Sequence, residues 1–181
     1  MPATHVALIR GINVGGKNPV PMAVLRQALT DRGLGGVQTY IQSGNVLVDA
    51  PELTSDEVSS LVELALQESC GVTTPVMTVT AATIRAVVSH APAEYLAGAD
   101  AFHRDVVFLH SALPMERAWS VVRLRGGVDE AWQGDQVIYF RRLSAERTKS
   151  KLTAIIGTPE YQQMTIRNWR TTQTLCALAD N

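Results

Sequence analysis

Eleven residues between an apolar run and the first helical pattern constrain this chain more than any other feature. The stretch Arg10-Gly11-Ile12-Asn13-Val14-Gly15-Gly16-Lys17-Asn18-Pro19-Val20 lies between Val6-Ala7-Leu8-Ile9 and Pro21. Proline fixes its own φ and pushes the residue before it out of the helical region, so a helix can start no earlier than Pro21. The spacing of Gly11 and Gly16-Lys17 imitates a phosphate-gripping P-loop. A working P-loop, however, needs Ser or Thr directly after the lysine to hold Mg²⁺, and a helix that begins inside the loop. Asn18 stands at that position and the helix comes several residues late, which excludes a P-loop ATPase or kinase. Two readings survive: a turn whose glycines only let the chain reverse, or an anion site in which left-handed residues expose successive N–H groups.

Periodicity on either side predicts a split βαβ unit. Residues 5–10 form a strand. Residues 21–32 then form a helix with Met22, Leu25, Ala28 and Leu29 on one face and Gly33 as its stop. Two strands over 37–42 and 45–49 join at Ser43-Gly44. Thr54-Ser55-Asp56-Glu57 forms a capping box ahead of an apolar stripe that ends at Gly71, and a strand comes next over 74–79. The order β-α-β-β-α-β is that of ferredoxin-like domains.

After a helix over 81–89 and a loose stretch to 100, the order recurs: strand 106–110, helix 114–125, a hairpin of 130–132 and 136–141 around Gly134-Asp135, helix 147–156, strand 164–167 and helix 169–179. The fold class read from the residues is therefore α+β: two ferredoxin-like halves with antiparallel sheets, plus connecting and C-terminal helices. The expected domains are an N-terminal half over 1–80 with the Gly-rich loop, a helical linker over 81–104 and a C-terminal half over 105–181.

Composition narrows function mainly by exclusion. With 46% apolar and 18% charged residues the chain reads as globular. It contains neither a run near the roughly 20 apolar residues that span a bilayer nor a basic leader, so the expected compartment is the cytoplasm, without membrane. Cys70 and Cys176 form no CxxC pair, and His5, His90, His103 and His110 show no ligand spacing. No metal and no cofactor are expected. His103-Arg104-Asp105 spells the start of a kinase catalytic loop, but the position where its asparagine belongs holds His110. No catalytic residue can be named. Residues 141–170 carry Arg141, Arg142, Arg147, Lys149, Lys151, Arg167 and Arg170 against only Glu146 and Glu160, a basic segment within a chain of net charge -1.

Topology gathers a candidate site. In a split βαβ sheet the first strand lies antiparallel to the third, so its end meets the turn between strands two and three. Arg10, Asn13, Gly15, Gly16 and Lys17 then share an edge with Gln42, Ser43, Gly44 and Asn45. Cations, amides, a hydroxyl and backbone donors are what an anion requires, and no carboxylate or histidine joins them as a general base.

The segments ALIRGINVGGKN, VPMAVLRQAL, VQTYIQSGNVLV, SKLTAIIGTPE and IRNWRTTQTL resemble the bacterial proteins grouped as domain of unknown function 1697, over residues 6 to about 178. The resemblance implies a small cytoplasmic α+β protein with ferredoxin-like features and no established activity. Its two signature pieces fall on residues 10–18 and 40–46. Family members commonly carry a further lysine where this chain has Pro19.

One function leads on these grounds, and two others are its alternatives. The first is binding of an anionic ligand, a nucleotide or phosphorylated metabolite, through RGINVGGKN and QSGN. The second is RNA or single-stranded nucleic-acid binding through the basic segment, with Tyr40, Tyr139 and Phe140 as stacking candidates; Trp169 beside Arg170 is read as packing into a domain junction rather than stacking on a base. The third is a protein-interaction module, a monomer or weak homodimer, in which the loops around Tyr40 and Ile41 form the contact.

Overall fold

The computed structural model describes residues 2–180. Strands β1 (His5–Ile9), β2 (Gly35–Tyr40), β3 (Asn45–Asp49) and β4 (Val76–Thr80) form one antiparallel sheet in the order β2-β3-β1-β4. Strands β5 (Phe102–Leu109), β6 (Asp129–Gln133), β7 (Val137–Leu143) and β8 (Met164–Asn168) form a second in the order β6-β7-β5-β8. Both sheets have the ferredoxin-like order, and the chain is α+β. The helices are α1 (Met22–Asp31), α2 (Ser55–Cys70), α3 (Ala81–Ser89), α4 (Ala93–Leu96), α5 (Met115–Ser120) and α6 (Trp169–Ala179).

The chain divides into two compact units. One runs through Arg85 and takes back the chain from Thr174 onward, and the other is Ala86–Gln173. Helix α6 thus begins in the second unit, and its last turns belong to the first. Among the described residues no helix is long and apolar enough to cross a membrane.

In the first unit, α1 and α2 lie on one face of the sheet. Leu25 and Leu29 of α1 and Val58, Val62, Ala65 and Leu66 of α2 pack with Ala7, Ile9, Val46 and Val48. The sequence enforces both helix starts. Pro21 lends its N-cap carbonyl to Leu25 N–H at 3.1 Å, and the Thr54 hydroxyl accepts from Glu57 N–H while the Glu57 carboxylate accepts from Thr54 N–H at 2.8 Å. Gly71, at φ 66°, ends α2 in the left-handed conformation that a side chain disfavours.

The second unit departs from expectation on its helical side. The helix expected over 147–156 is instead three 3₁₀ segments, Ser144–Lys149, Leu152–Gly157 and Pro159–Gln163. Polar groups, one near and one distant in sequence, compete with helical bonding there. Ser150 Oγ accepts from Leu152 N–H at 3.2 Å, and the Asp129 carboxylate accepts from Lys151 N–H at 2.8 Å. Leu152 and Ile155 still reach the core formed by Val107, Leu109, Ile138 and Phe140. Helix α5 stops at Ser120 rather than 125, where the Arg123 guanidinium donates to the Ser120 carbonyl at 2.7 Å and terminates the run.

Candidate functional site

The register of the first sheet brings the two motif segments together. Leu8 lies opposite Asn45, and Ile9 N–H donates to the Gly44 carbonyl at 2.8 Å, so the chain leaving β1 emerges beside the β2–β3 turn. Gly44 makes the approach close. A Cβ there would lie 2.9 Å from both Ile9 Cβ and Ile12 Cδ1, and its φ of 89° is open to glycine. Asn45 is fully buried, and its carboxamide donates to the Tyr40 carbonyl across the turn at 3.1 Å.

Asn13 is the clamp. Its Nδ2 donates to the Gln42 carbonyl at 2.8 Å and to the Val20 carbonyl at 2.9 Å, while its Oδ1 accepts from Val20 N–H at 2.8 Å. One carboxamide therefore ties the start of the loop, its end and the neighbouring turn. Between them the loop is a miniature hairpin: Asn13 N–H donates to the Asn18 carbonyl at 3.1 Å and Lys17 N–H to the Val14 carbonyl at 3.0 Å. Gly15 and Gly16, at φ 58° and 73°, take the two central positions, where a two-residue hairpin turn needs positive φ. Asn13 and Asn18, at φ 53° and 46°, are residues that tolerate this region, and Asn18 Nδ2 secures itself on the Gly11 carbonyl at 3.0 Å.

The nine residues expected at the site thus divide by task. Asn13, Gly44 and Asn45 hold the scaffold. Gly15, Gly16, Lys17 and Gln42 are exposed, while Arg10 and Ser43 are half-buried at the same edge. Among the described residues the amides of Gly15 and Gly16 and the Lys17 ammonium form no hydrogen bond or ion pair. Two exposed donors and a cation on a braced turn can accept a phosphate or carboxylate. The groove beside α2, lined by Ser60, Glu63, Leu64, Gln67 and Thr74, contributes a carboxylate and no cation, and Glu63 is already engaged by Val76 N–H at 2.9 Å.

Ile41 is the residue that sequence reasoning leaves off the site. The run Tyr40-Ile41-Gln42 reads as strand, yet β2 ends at Tyr40 because Ile41 adopts φ 51°. A β-branched residue in the left-handed region is strained by about 1–3 kcal/mol. The Ser43-Gly44 turn signal lies two residues on and cannot reveal it.

The basic segment is largely occupied with the second unit itself. Arg141 lies 4.1 Å from the Phe102 ring centroid and 5.2 Å from that of Trp132, pairs with Glu130 at 2.5 Å, and donates to the Glu94 carbonyl and, at 3.1 Å, to that of Ala97. Arg142 pairs with Asp105 at 3.1 Å, Lys149 with Glu146, and desolvation draws the Arg167 guanidinium down to about 10. Tyr139 and Phe140 are buried, with the Tyr139 hydroxyl donating to the Val87 carbonyl at 2.8 Å. Tyr95 packs against Tyr139, Trp132 and Trp169 at centroid distances of 5.1, 6.1 and 5.3 Å. Tyr139 and Phe140 are therefore not displayed as a nucleic-acid sheet would display its aromatics, and of the three stacking candidates Tyr40 alone is half-buried.

A serine beside a histidine invites a catalytic reading, which the hydrogen bonding refuses. Arg147, which can only donate, contacts His103 Nε2 at 3.1 Å, so Nδ1 carries the proton and donates to Ser144 Oγ at 2.9 Å. In that tautomer His103 cannot take a proton from Ser144.

Comparisons with known proteins agree with this architecture. A family model described as "Protein of unknown function (DUF1697)" matches residues 3–139. The solved structure of conserved bacterial protein SP0830 from Streptococcus pneumoniae is similar over 99% of this chain and 100% of that one, with a TM-score of 0.80 at 24% identity, which speaks to the fold. No curated protein matches.

Proposed function

Since the chain belongs to the family described as Protein of unknown function (DUF1697), whose description names no ligand, we propose from the site itself that the protein binds a small anionic ligand, a nucleotide or phosphorylated metabolite, at the paired loop and turn. The observation that carries this reading is the Asn13 clamp: its 2.8 Å bond to the Gln42 carbonyl holds two glycine amides and Lys17 beside Gln42 and Ser43 without engaging them. Lys17 supplies the charge, Gly15 and Gly16 the backbone donors, and Ser43 and Gln42 the orienting polar groups, with Arg10 at the base of the loop. The cytoplasm is the compartment we propose, since Cys70 and Cys176 are free thiols, as a reducing environment keeps them.

The test is a thermal-shift screen against phosphate, sugar phosphates, nucleotides and coenzymes. A ligand at 100 times its dissociation constant adds about 2.7 kcal/mol, and about 2–4 °C per kcal/mol makes the rise readable. Lys17→Ala is expected to weaken the ligand about tenfold, the loss of one charge-assisted contact. An unchanged affinity in that variant removes the assignment. Nucleic-acid binding through the basic segment draws less support, because Arg141 and Arg142 are engaged within the unit and Tyr139 and Phe140 are buried.

A further inference from the structure

Four non-glycine residues among those described have positive φ: Asn13, Asn18, Ile41 and Gln136. Ile41 alone is β-branched, and core packing does not compensate it, because its side chain is 47% exposed. Val14, 61% exposed, stands directly before Gly15-Gly16. The Asn13 to Gln42 bond joins the neighbour of Val14 to the neighbour of Ile41, so two exposed apolar residues stand on the two clamped segments that carry the Lys17 charge and the free glycine amides. An inorganic anion has no use for them. A surface that sets exposed apolar side chains beside a few polar groups suits a molecule having both characters.

We propose that the anion is the phosphate end of a nucleoside phosphate, whose base lies against Ile41 and Val14, with the Gln42 carboxamide, whose Oε1 accepts from Asn13 Nδ2 at 3.5 Å, offering its N–H groups to the ring nitrogens. This deepens the anion-binding reading and rests on it. Ile41 is then a specificity residue: rigid at χ1, exposed, and held in a left-handed turn by the Asn45 carboxamide bond to the Tyr40 carbonyl next to it.

Calorimetric titration of the intact protein with inorganic phosphate, ribose 5-phosphate and adenosine monophosphate tests the proposal, in the native sequence and in Lys17→Ala and Ile41→Asn. Asparagine accepts positive φ, so Ile41→Asn is expected to melt no lower than the native protein. The native protein is expected to bind adenosine monophosphate about tenfold more tightly than ribose 5-phosphate. Ile41→Asn is expected to erase that preference and leave ribose 5-phosphate unaffected, whereas Lys17→Ala weakens all three. Equal affinity for the two organic phosphates in the native protein overturns the base contact and leaves the anion site standing. Binding of none of the three overturns both. An Ile41→Asn variant that loses inorganic phosphate and melts lower assigns Ile41 to the scaffold and also overturns the proposal.

Discussion

The two sheets share one strand order and differ in the connection that leaves the first strand of each. After β1 the chain takes twelve residues, 10–21, to reach α1, while after β5 it takes five, 110–114, to reach α5. The long connection folds on itself into a clamped hairpin and leaves a cation and two amides unengaged. The short one is consumed locally, with His110 Nδ1 accepting from Ala112 N–H at 3.1 Å and Leu113 entering the core. On the helical side the contrast repeats: α2 has 16 residues and a complete capping box, whereas its counterpart is three 3₁₀ segments. Strand order alone therefore does not make a site. The same topology carries the proposed one where a connection is long enough to brace itself against the adjoining turn.

If that difference depends on close approach of the two segments, its largest breakage comes from Gly44→Ala. A methyl group there meets Ile9 and Ile12 at 2.9 Å with the backbone at φ 89°, a combined cost of about 3 kcal/mol. Gly157→Ala in the second unit meets nothing within 4 Å and has no positive φ, so it is expected to stay within about 0.5 kcal/mol. Urea denaturation of both variants is the measurement, and equal losses would dissolve the distinction between the halves.

Sequence alone reveals the parts of this comparison that are local. The Thr54 to Glu57 box, Gly33 and Gly71 as stops, and α6 over Trp169–Ala179 each announce themselves within a few residues, and all are present. The edge shared by residues 10–17 and 42–45 comes from β1 pairing with β3, a rule of the fold rather than of any one residue. The failures are non-local. The 3₁₀ segments arise because Asp129, more than 20 positions away, captures Lys151 N–H. Asn13 reads in sequence as a ligand contact, yet its carboxamide is committed to Val20 and Gln42, which no spacing could forecast. The basic segment reads as a candidate nucleic-acid contact, whereas in the fold Glu130, Asp105 and aromatic rings engage its Arg141 and Arg142.

A smaller effect sharpens the helical contrast. Thr54→Ala removes the hydroxyl that caps α2 and is expected to cost about 1 kcal/mol, lowering the melting temperature by about 2–4 °C. Pro114, the N-cap of α5, makes no side-chain capping bond, so Pro114→Ala is expected to move less than half as far. Equal shifts in paired melting curves would mean that the side-chain cap of α2 adds nothing that the uncapped start of α5 lacks.

Acidification offers the subtlest contrast, because the first strands of the two sheets carry buried groups of opposite response. His5 on β1 is 5% exposed, and burial lowers its pKa below the ordinary 6.5. The unfolded chain then binds the extra proton more readily, so the stability owed to neutral His5 is present above pH 6.5 and declines as pH falls through the lowered folded value. Asp105 on β5 behaves the other way. Burial raises its pKa above 3.8, with the facing Arg142 and His103 pulling it partly back. Its folded state holds the proton more tightly, so its contribution is complete below pH 3.8 and is lost as pH rises through the raised value. Amide hydrogen exchange tracked strand by strand from pH 7 downward is therefore expected to show β1, β3 and β4 losing protection first, with His5→Gln cancelling that loss. The β5, β7 and β8 amides should hold their protection over the same range. A uniform decline across both sheets would show that the two units open together, and that no single buried titration distinguishes them.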